Sequence, residues 1–473
     1  MRKSIAIFSC LFLISIYANA QQNKVFVKKS DKGFVLKAYG KTIFIKGMNW
    51  DYFPIGTNYS YSLWQQPDDL IKAALDYEMN LLKKMGVNTI RQYTGVPVKW
   101  VNYIYDNYGI YTVLNHSFGR YGLTLNNKWE ANTDYSNPLV KEILLKELKE
   151  MVVQYKNVPG VLMFLLGNEN NYGLFWQGAE TENIPVGERK SAIAATHLYR
   201  LFNEAALSIK AIDQSRPVAI CNGDLMFLDI IAKLCIDIDV LGVNIYRGLS
   251  FGDAFEKVKK EYGKPVMFTE FGADAYNTLT NTEDQESQSI CLVSNWKEIY
   301  KNAAGQGKAE NCIGGFTFQF SDGWWKSGQT INLDKHDANA SWSNGGYQND
   351  YKKGENNMNE EWFGICAKGA ANNKGVYELF PRAAYYALKK VHQVDPYSKP
   401  VKLKKNYKEN KSGSVPVLNA GSKNAVVILP GSGVKPVIIK NVSANGRLKM
   451  FRNGEADIIT FQTKRNLFCN PLL

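Results

Sequence analysis

Two short apolar runs in this sequence end on a glutamate. Phe164-Leu165-Leu166-Gly167-Asn168-Glu169-Asn170 turns abruptly polar at its tip, and Val266-Met267-Phe268-Thr269-Glu270-Phe271-Gly272 does the same. A strand that only fills a core needs no carboxylate at its end, although a solvated strand-end glutamate is an ordinary alternative for either run taken alone. As a pair they point to chemistry that needs two carboxyl groups flanking one bond. Glycoside hydrolysis is such a reaction; in its retaining form the groups lie about 5–5.5 Å apart, one ionised to attack the anomeric carbon and one protonated to assist the leaving group. Their surroundings must push the two pKa values apart, because identical carboxyls cannot hold both roles.

A parallel barrel brings such a pair together, since the C-terminal ends of its fourth and seventh strands face one mouth. The rest of the chain fits that scaffold. Apolar runs at 43–50, 89–93, 111–115, 161–166, 217–222, 240–246, 265–270 and 314–320 alternate with amphipathic stretches of helical spacing, the pattern of βα units. The spacing predicts helices over 68–85, ended by Gly86, and over 138–155, where Leu139, Ile143, Leu144, Leu148, Met151 and Tyr155 follow the 3.6 period. Stretches 285–303 and 381–391 supply the seventh and eighth helices. Ahead of them, 34–46 reads as a hairpin turning at Tyr39-Gly40-Lys41, placed to close the barrel bottom or lead into its first strand. Two connections, 170–190 and 321–358, exceed ordinary linkers and fall at the mouth. The fold class is therefore α/β, a (β/α)8 TIM barrel with a small C-terminal β appendage. The expected division is a leader over 1–20, the barrel with its hairpin over 21–396, and the appendage over 397–473.

At this point the motifs carry a resemblance. The Asn168-Glu169 pair and Thr269-Glu270-Phe271-Gly272 resemble the acid/base and nucleophile motifs of the glycoside hydrolase clan A barrels. Lys46-Gly47-Met48-Asn49-Trp50, Asn88-Thr89-Ile90-Arg91 and Arg382-Ala383-Ala384-Tyr385-Tyr386-Ala387-Leu388 are similar to the barrel domain of family 2 β-glycosidases and to β-1,3-glucanosyltransferase-like barrels. No β-sandwich domains of the kind that precede the barrel in typical family 2 enzymes are expected in the stretch before Ile43. The resemblance therefore carries over neither that family's exo-acting pocket nor its substrates.

It implies Glu169 as general acid/base, Glu270 as nucleophile, and Asn168 as a hydrogen-bond partner of the sugar 2-hydroxyl, with a strand-capping turn as the plainer role for Asn168. It implies that Arg91 holds Glu270 ionised, against a simple salt bridge. His116 lines the same subsite or is a hydrogen-bonded structural histidine; Tyr246 orients the nucleophile or packs as a core aromatic. Trp324 or Trp325 floors the cleft by stacking on a sugar face, unless both pack under the following loop. Trp50, Trp64 and Trp176 are weaker candidates for that duty. The expected activity is retaining hydrolysis of a β-linked oligo- or polysaccharide, β-glucan-like. Glucanosyl transfer on the same barrel and an inactive carbohydrate-binding barrel are the alternatives.

Composition bounds these readings. The 473 residues are 45% hydrophobic and 13% aromatic, enough for a large core. Arg2 and Lys3, an apolar stretch over 5–17 and Ala18-Asn19-Ala20 make a secretory leader cleaved near Ala20, so a secreted or periplasmic location is expected. No later run nears the length of a membrane span. The formal net charge of +13 is read as a solvated basic surface, with an acidic polymer or anionic envelope as the other reading. Seven cysteines, Cys10 within the leader, match no zinc spacing; export permits disulfides, and free buried thiols fit as well. The four histidines, His116, His197, His336 and His392, lack metal-ligand spacing, and there is no phosphate loop and no interleaving of basic and aromatic residues. No metal, cofactor or nucleic acid is expected.

Overall fold

A computed structural model describes residues 25–93, 95–174, 192–326, 328–342, 347–352 and 357–398, and the backbone of strand segments between 418 and 468. The expected leader, Trp176 and most of the first long connection lie outside the described residues.

Eight strands close into a parallel barrel: β1 (Ile45–Asn49), β2 (Thr89–Gln92), β3 (Tyr111–His116), β4 (Val161–Leu166), β5 (Val218–Gly223), β6 (Val240–Asn244), β7 (Val266–Phe271) and β8 (Cys312–Thr317). Each pairs with its neighbour in sequence, and β8 returns to β1 through Gly314↔Ile45 to Thr317↔Met48. The helices that return the chain are α1 (Asp68–Met85), α2 (Val98–Tyr108), α3 (Pro138–Tyr155), α4 (Ala192–Ile212), α5 (Leu228–Leu234), α6 (Ala254–Glu261), α7 (Gln285–Lys301) and α8 (Ala383–Val391).

Local chemistry explains the helix limits. In α1, Asp68 and Asp69 occupy the first turn and Lys83 and Lys84 the last, each charge complementing the helix dipole. Gly86 stops it at φ +91°, a left-handed conformation that a side chain resists. Its buried face of Ile71, Ala74, Leu75, Met79, Leu82 and Met85 packs on the barrel, each large side chain contributing about 1.5–3 kcal/mol. Truncating Leu82 to alanine would cost about 2–5 kcal/mol. In α3, Pro138 sits at the first position and Asn137 caps Leu139 N at 2.9 Å.

The strands are buried on both faces, and their rows separate two cores. Val113, Met163, Leu165, Ala219, Cys221 and Met267 point into the barrel, while Leu114, Phe164, Leu166, Ile220 and Phe268 point out to the helices. A three-stranded antiparallel sheet, Val25–Ser30, Gly33–Ala38 and Lys41–Ile43, closes the bottom. Val25, Leu36 and Ala38 join the interior cluster, Val25 N donates to Ser215 O at 2.8 Å and Phe34 N to Glu310 O at 3.0 Å. The expected hairpin is thus present with a further strand before it, and its return strand stops at Ile43 because Ile45 already pairs within the barrel.

The second long connection leads into an antiparallel pair, Cys366–Ala371 with Tyr377–Pro381, so α8 starts at Ala383 rather than at Pro381. Arg382 anchors this return: its Nη atoms reach Asp322 Oδ1 and Oδ2 at 2.6 and 2.7 Å, and its Nε reaches Glu283 at 2.6 Å. Towards the C-terminus the backbone forms two further three-stranded antiparallel sheets. Cys221, Cys235, Cys291, Cys312 and Cys366 are all free and buried.

Candidate active site

Along the inward rows, apolar residues give way to polar ones near the strand ends: Asn49 on β1, Arg91 on β2, Asn115 on β3, Asn244 on β6 and Thr269 on β7, all buried. Glu270 follows Thr269 directly, and strict alternation would send it outward. The pairing of β6 with β7 shifts register between Val243↔Phe268 and Asn244↔Glu270. Such a bulge re-aims a side chain, and here it leaves both Thr269 and Glu270 in the polar layer.

Arg91 is fully buried and is the hub of that layer. Its Nη1 donates to Glu270 Oε1 at 2.8 Å and to Thr269 O at 3.1 Å, its Nη2 to Asn168 Oδ1 at 2.7 Å, and its Nε to Asn115 Oδ1 at 2.9 Å. A planar fork of five donors suits this bridging, which a lysine could not reproduce. Glu270 also accepts from Tyr93 at 2.7 Å on Oε1 and from Tyr246 at 2.9 Å on Oε2. Every one of these partners is a donor, an environment built around a carboxylate.

Glu169 stands on a sharp turn after β4. Gly167 has φ +78°, and a Cβ there would lie 2.3 Å from Asn170 Oδ1, the atom that accepts from Asn168 N at 2.8 Å. Glu169 itself is left-handed at φ +56°, fixed by its N–H to Cys221 O at 3.0 Å and by Tyr172 N donating to its carbonyl at 3.0 Å. Strain of this kind in a non-glycine residue gathers at functional sites. Asn244 Nδ2 donates to Glu169 Oε1 at 3.1 Å and to Asn168 Oδ1 at 3.2 Å. Burial, and then repulsion from Glu270, push the Glu169 carboxyl up to about 7. Two carboxyl groups thus share one mouth in opposite settings.

The structure brings together Glu169, Glu270, Asn168, Arg91 and Tyr246. It turns His116 away: on β3, Val113 and Asn115 face inward, so His116 faces the helices, where its Nε2 lies 3.6 Å from Glu147 of α3 and its Nδ1 accepts from Phe118 N at 3.1 Å. Its neighbour Asn115 takes the inward place. The Trp324 ring stacks on His336 at 4.7 Å, which stacks on Trp362 at 3.9 Å, so it packs within the second long connection. Trp325 packs against Phe53 at 5.2 Å and Tyr59 at 6.1 Å. Among the described residues Trp342 is the indole that meets Tyr246, the ring whose hydroxyl holds Glu270, at 5.6 Å, and it also stacks on Phe363 at 5.7 Å. Trp50 is core, its Nε1 bonded to Glu78 at 2.5 Å, and Trp64 packs on it at 6.1 Å.

Sequence reasoning missed Tyr93, Asn49, Asn115, Asn244 and Trp342. The first four share one readable signal, a polar residue on the inward row of an apolar strand or just past its end. Among the described residues no cluster of histidine, cysteine and carboxylate side chains could hold a metal ion, and no helix is long and apolar enough to cross a membrane.

Comparison with known proteins gives the following. A family model described as glycosyl hydrolases family 2, TIM barrel domain, matches residues 70–333, a span that includes both glutamates. The β-glucuronidase of Rattus norvegicus is 25% identical over 269 residues, which are 52% of this chain and 34% of that protein. The β-glucuronidase structure from Bacteroides uniformis superimposes with a TM-score of 0.50 at 14% identity, over 77% of this chain and 37% of the other, which shows a shared fold. A galacturonate-bound β-galacturonidase from Eisenbergiella tayi reaches 0.48 at 19% identity, over 79% and 55%. The chain spans about a third of the length of the rat relative.

Proposed function

The chain belongs to glycosyl hydrolases family 2 through its TIM barrel domain, and from that premise we propose that it is a retaining β-glycosidase with Glu270 as nucleophile and Glu169 as general acid/base. The observation that carries this reading is the asymmetry of the pair. Glu270 accepts from Arg91, Tyr93 and Tyr246, whereas the Glu169 carboxyl is pushed up to about 7.

In the first step Glu270 attacks the anomeric carbon while protonated Glu169 gives its proton to the departing oxygen. Covalent capture of Glu270 removes the negative charge that repels Glu169. Its carboxyl then becomes more acidic, and it is ready to take a proton from the incoming water. Asn168, oriented by Arg91 and by its own donation to Tyr121 at 2.9 Å, is the partner for the sugar 2-hydroxyl.

We read the substrate as a β-linked oligo- or polysaccharide of β-glucan type, degraded outside the cytoplasm after leader cleavage near Ala20. The likeness to the rat β-glucuronidase favours a second reading, a uronic-acid glycoside. The test is hydrolysis of aryl β-glycosides and β-glucans by wild type, Glu169→Ala and Glu270→Ala, each with azide added. A β-glycosyl azide from Glu169→Ala and an α-glycosyl azide from Glu270→Ala are expected. Undiminished turnover in either variant would reassign the roles.

A further inference from the structure

Arg120 lies in the turn that follows β3, and hydrogen bonds join that turn to the one carrying Glu169. Asn170 Nδ2 donates to Ser117 O at 3.2 Å and to Phe118 O at 2.9 Å, and Arg120 N donates to the same Ser117 O at 3.1 Å. The next residue, Tyr121, accepts from Asn168 at 2.9 Å, and its ring centre lies 5.6 Å from the Arg120 guanidinium. A Cβ built on Gly173 would lie 3.5 Å from Arg120 Nη1, and Gly173 follows Tyr172, whose N–H holds the Glu169 carbonyl. The guanidinium is thus fixed against Tyr121 and against the turn after Glu169.

Among the described residues nothing accepts a hydrogen bond from that guanidinium, and its Nε is buried without a partner. Arg91, Arg216, Arg247 and Arg382, by contrast, each meet a carboxylate at 2.5–2.9 Å. Buried donors are nearly always satisfied, and a charge taken out of water is normally paired. Glu169 feels the cation: its charge opposes the rise that burial and Glu270 impose on that carboxyl.

Place decides what part of a substrate the guanidinium can meet. Glu169 gives its proton to the departing oxygen, so the unit attached to that oxygen lies on the Glu169 side. The sugar under attack is held instead at Glu270, which Arg91 pairs. A planar fork of free donors matches a carboxylate in geometry and in charge. The formal net charge of +13 favours the approach of an acidic chain from solution.

We infer that Arg120 is a specificity-determining residue that binds a carboxylate on the leaving unit of the substrate. The inference rests on the glycosidase reading above and deepens it. Whichever sugar Glu270 holds, the β-linked chain carries an acidic unit on the side released first.

The experiment uses β-glycosides whose leaving group is 3- or 4-hydroxyphenylacetate or the corresponding amide, phenols matched in acidity and differing in charge. Gluco, galacto, manno and glucurono series are assayed with wild type, Arg120→Met and Arg120→Lys, with each variant's Tm and pH profile recorded. For the series it cleaves, wild type is expected to prefer the acid over the amide at least fivefold in kcat/KM. That preference should vanish in Arg120→Met, mainly through KM, and survive in part in Arg120→Lys. Wild type without the preference overturns the inference, a result that needs no folded variant. So does a folded Arg120→Met with an unchanged ratio; a shifted alkaline limb beside that ratio would mean that the guanidinium only tunes Glu169. A loss confined to uronide over neutral glycones overturns it as well, by placing the carboxylate on the other unit. All three leave the glycosidase reading standing, whereas failure of every glycoside to turn over removes both.

Discussion

The phenol of Tyr93 donates at 2.7 Å to Glu270 Oε1, the same oxygen that Arg91 holds at 2.8 Å. A single carboxylate oxygen thus carries both a permanent cation and a neutral donor, and the Tyr93 ring itself lies 4.5 Å beneath the Arg91 guanidinium. Tyr93→Phe keeps that stacking and removes only the hydroxyl. A hydrogen bond to a charged group is worth about 1.5–3 kcal/mol, so kcat/KM for an aryl β-glycoside should fall about 10–100-fold with little change in Tm. Unaltered kinetics would mean that the phenol does not help position the nucleophile.

Protonated Glu169 is required for departure of the aglycone, and its carboxyl is pushed up to about 7 by burial and then by Glu270. The rate should therefore fall as pH rises through about 7. In Glu270→Gln the repulsion is gone, so Glu169 should titrate at lower pH, followed by its carboxyl signal in NMR. An unshifted titration would leave burial as the only cause.

The same residues show what periodicity can and cannot tell. Helix limits were readable where spacing and a start or stop signal coincide: 68–85 with Gly86, and 138–155 with Pro138, agree with the structure residue for residue, whereas most strand limits shift by one to three residues. Glu169 and Glu270 stood out because each ends an apolar run. His116 was singled out for its residue type, but its row on β3 decides the matter and sends it outward, leaving Asn115 inside. The re-aiming of Glu270 depends on a shift between β6 and β7 that no single strand encodes. Trp342 comes from a connection without period, and its contact with Tyr246 depends on long-range bonds such as Asn359 to Asp274.

Arg382 and Asp322 form a buried bidentate pair, both side chains 1% exposed. Arg382→Met strands the carboxylate, and breaking a buried pair costs about 3–5 kcal/mol. A marked loss of Tm is expected, and adding Asp322→Leu to the same chain should recover much of it. A single variant as stable as wild type would show that the pair does not anchor the return from the mouth into α8.

Glu78 is fully buried, bonded to Trp50, and burial pushes its carboxyl up to about 7. Its folded pKa lies above its unfolded value, so between about pH 4.5 and 7 the native state binds more protons, and stability falls as pH rises. Glu78→Gln keeps an acceptor for Trp50 and removes the titration. Denaturant unfolding should show a flatter decline from pH 5 to 8, and a gain of about 2 kcal/mol at pH 8. An identical slope in the variant would place the pH dependence elsewhere.

The sheet that closes the barrel bottom also fixes the polarity of attachment. Val25 enters the fold beside Ser215, just ahead of β5, while Glu169 and Glu270 stand at the opposite strand ends. A carrier, bead or electrode coupled through the amino-terminal side of Val25 would hold the protein by its closed end. Every immobilised copy would then turn its open end to the bulk solution, and bulky polymeric chains could reach it without approaching the support.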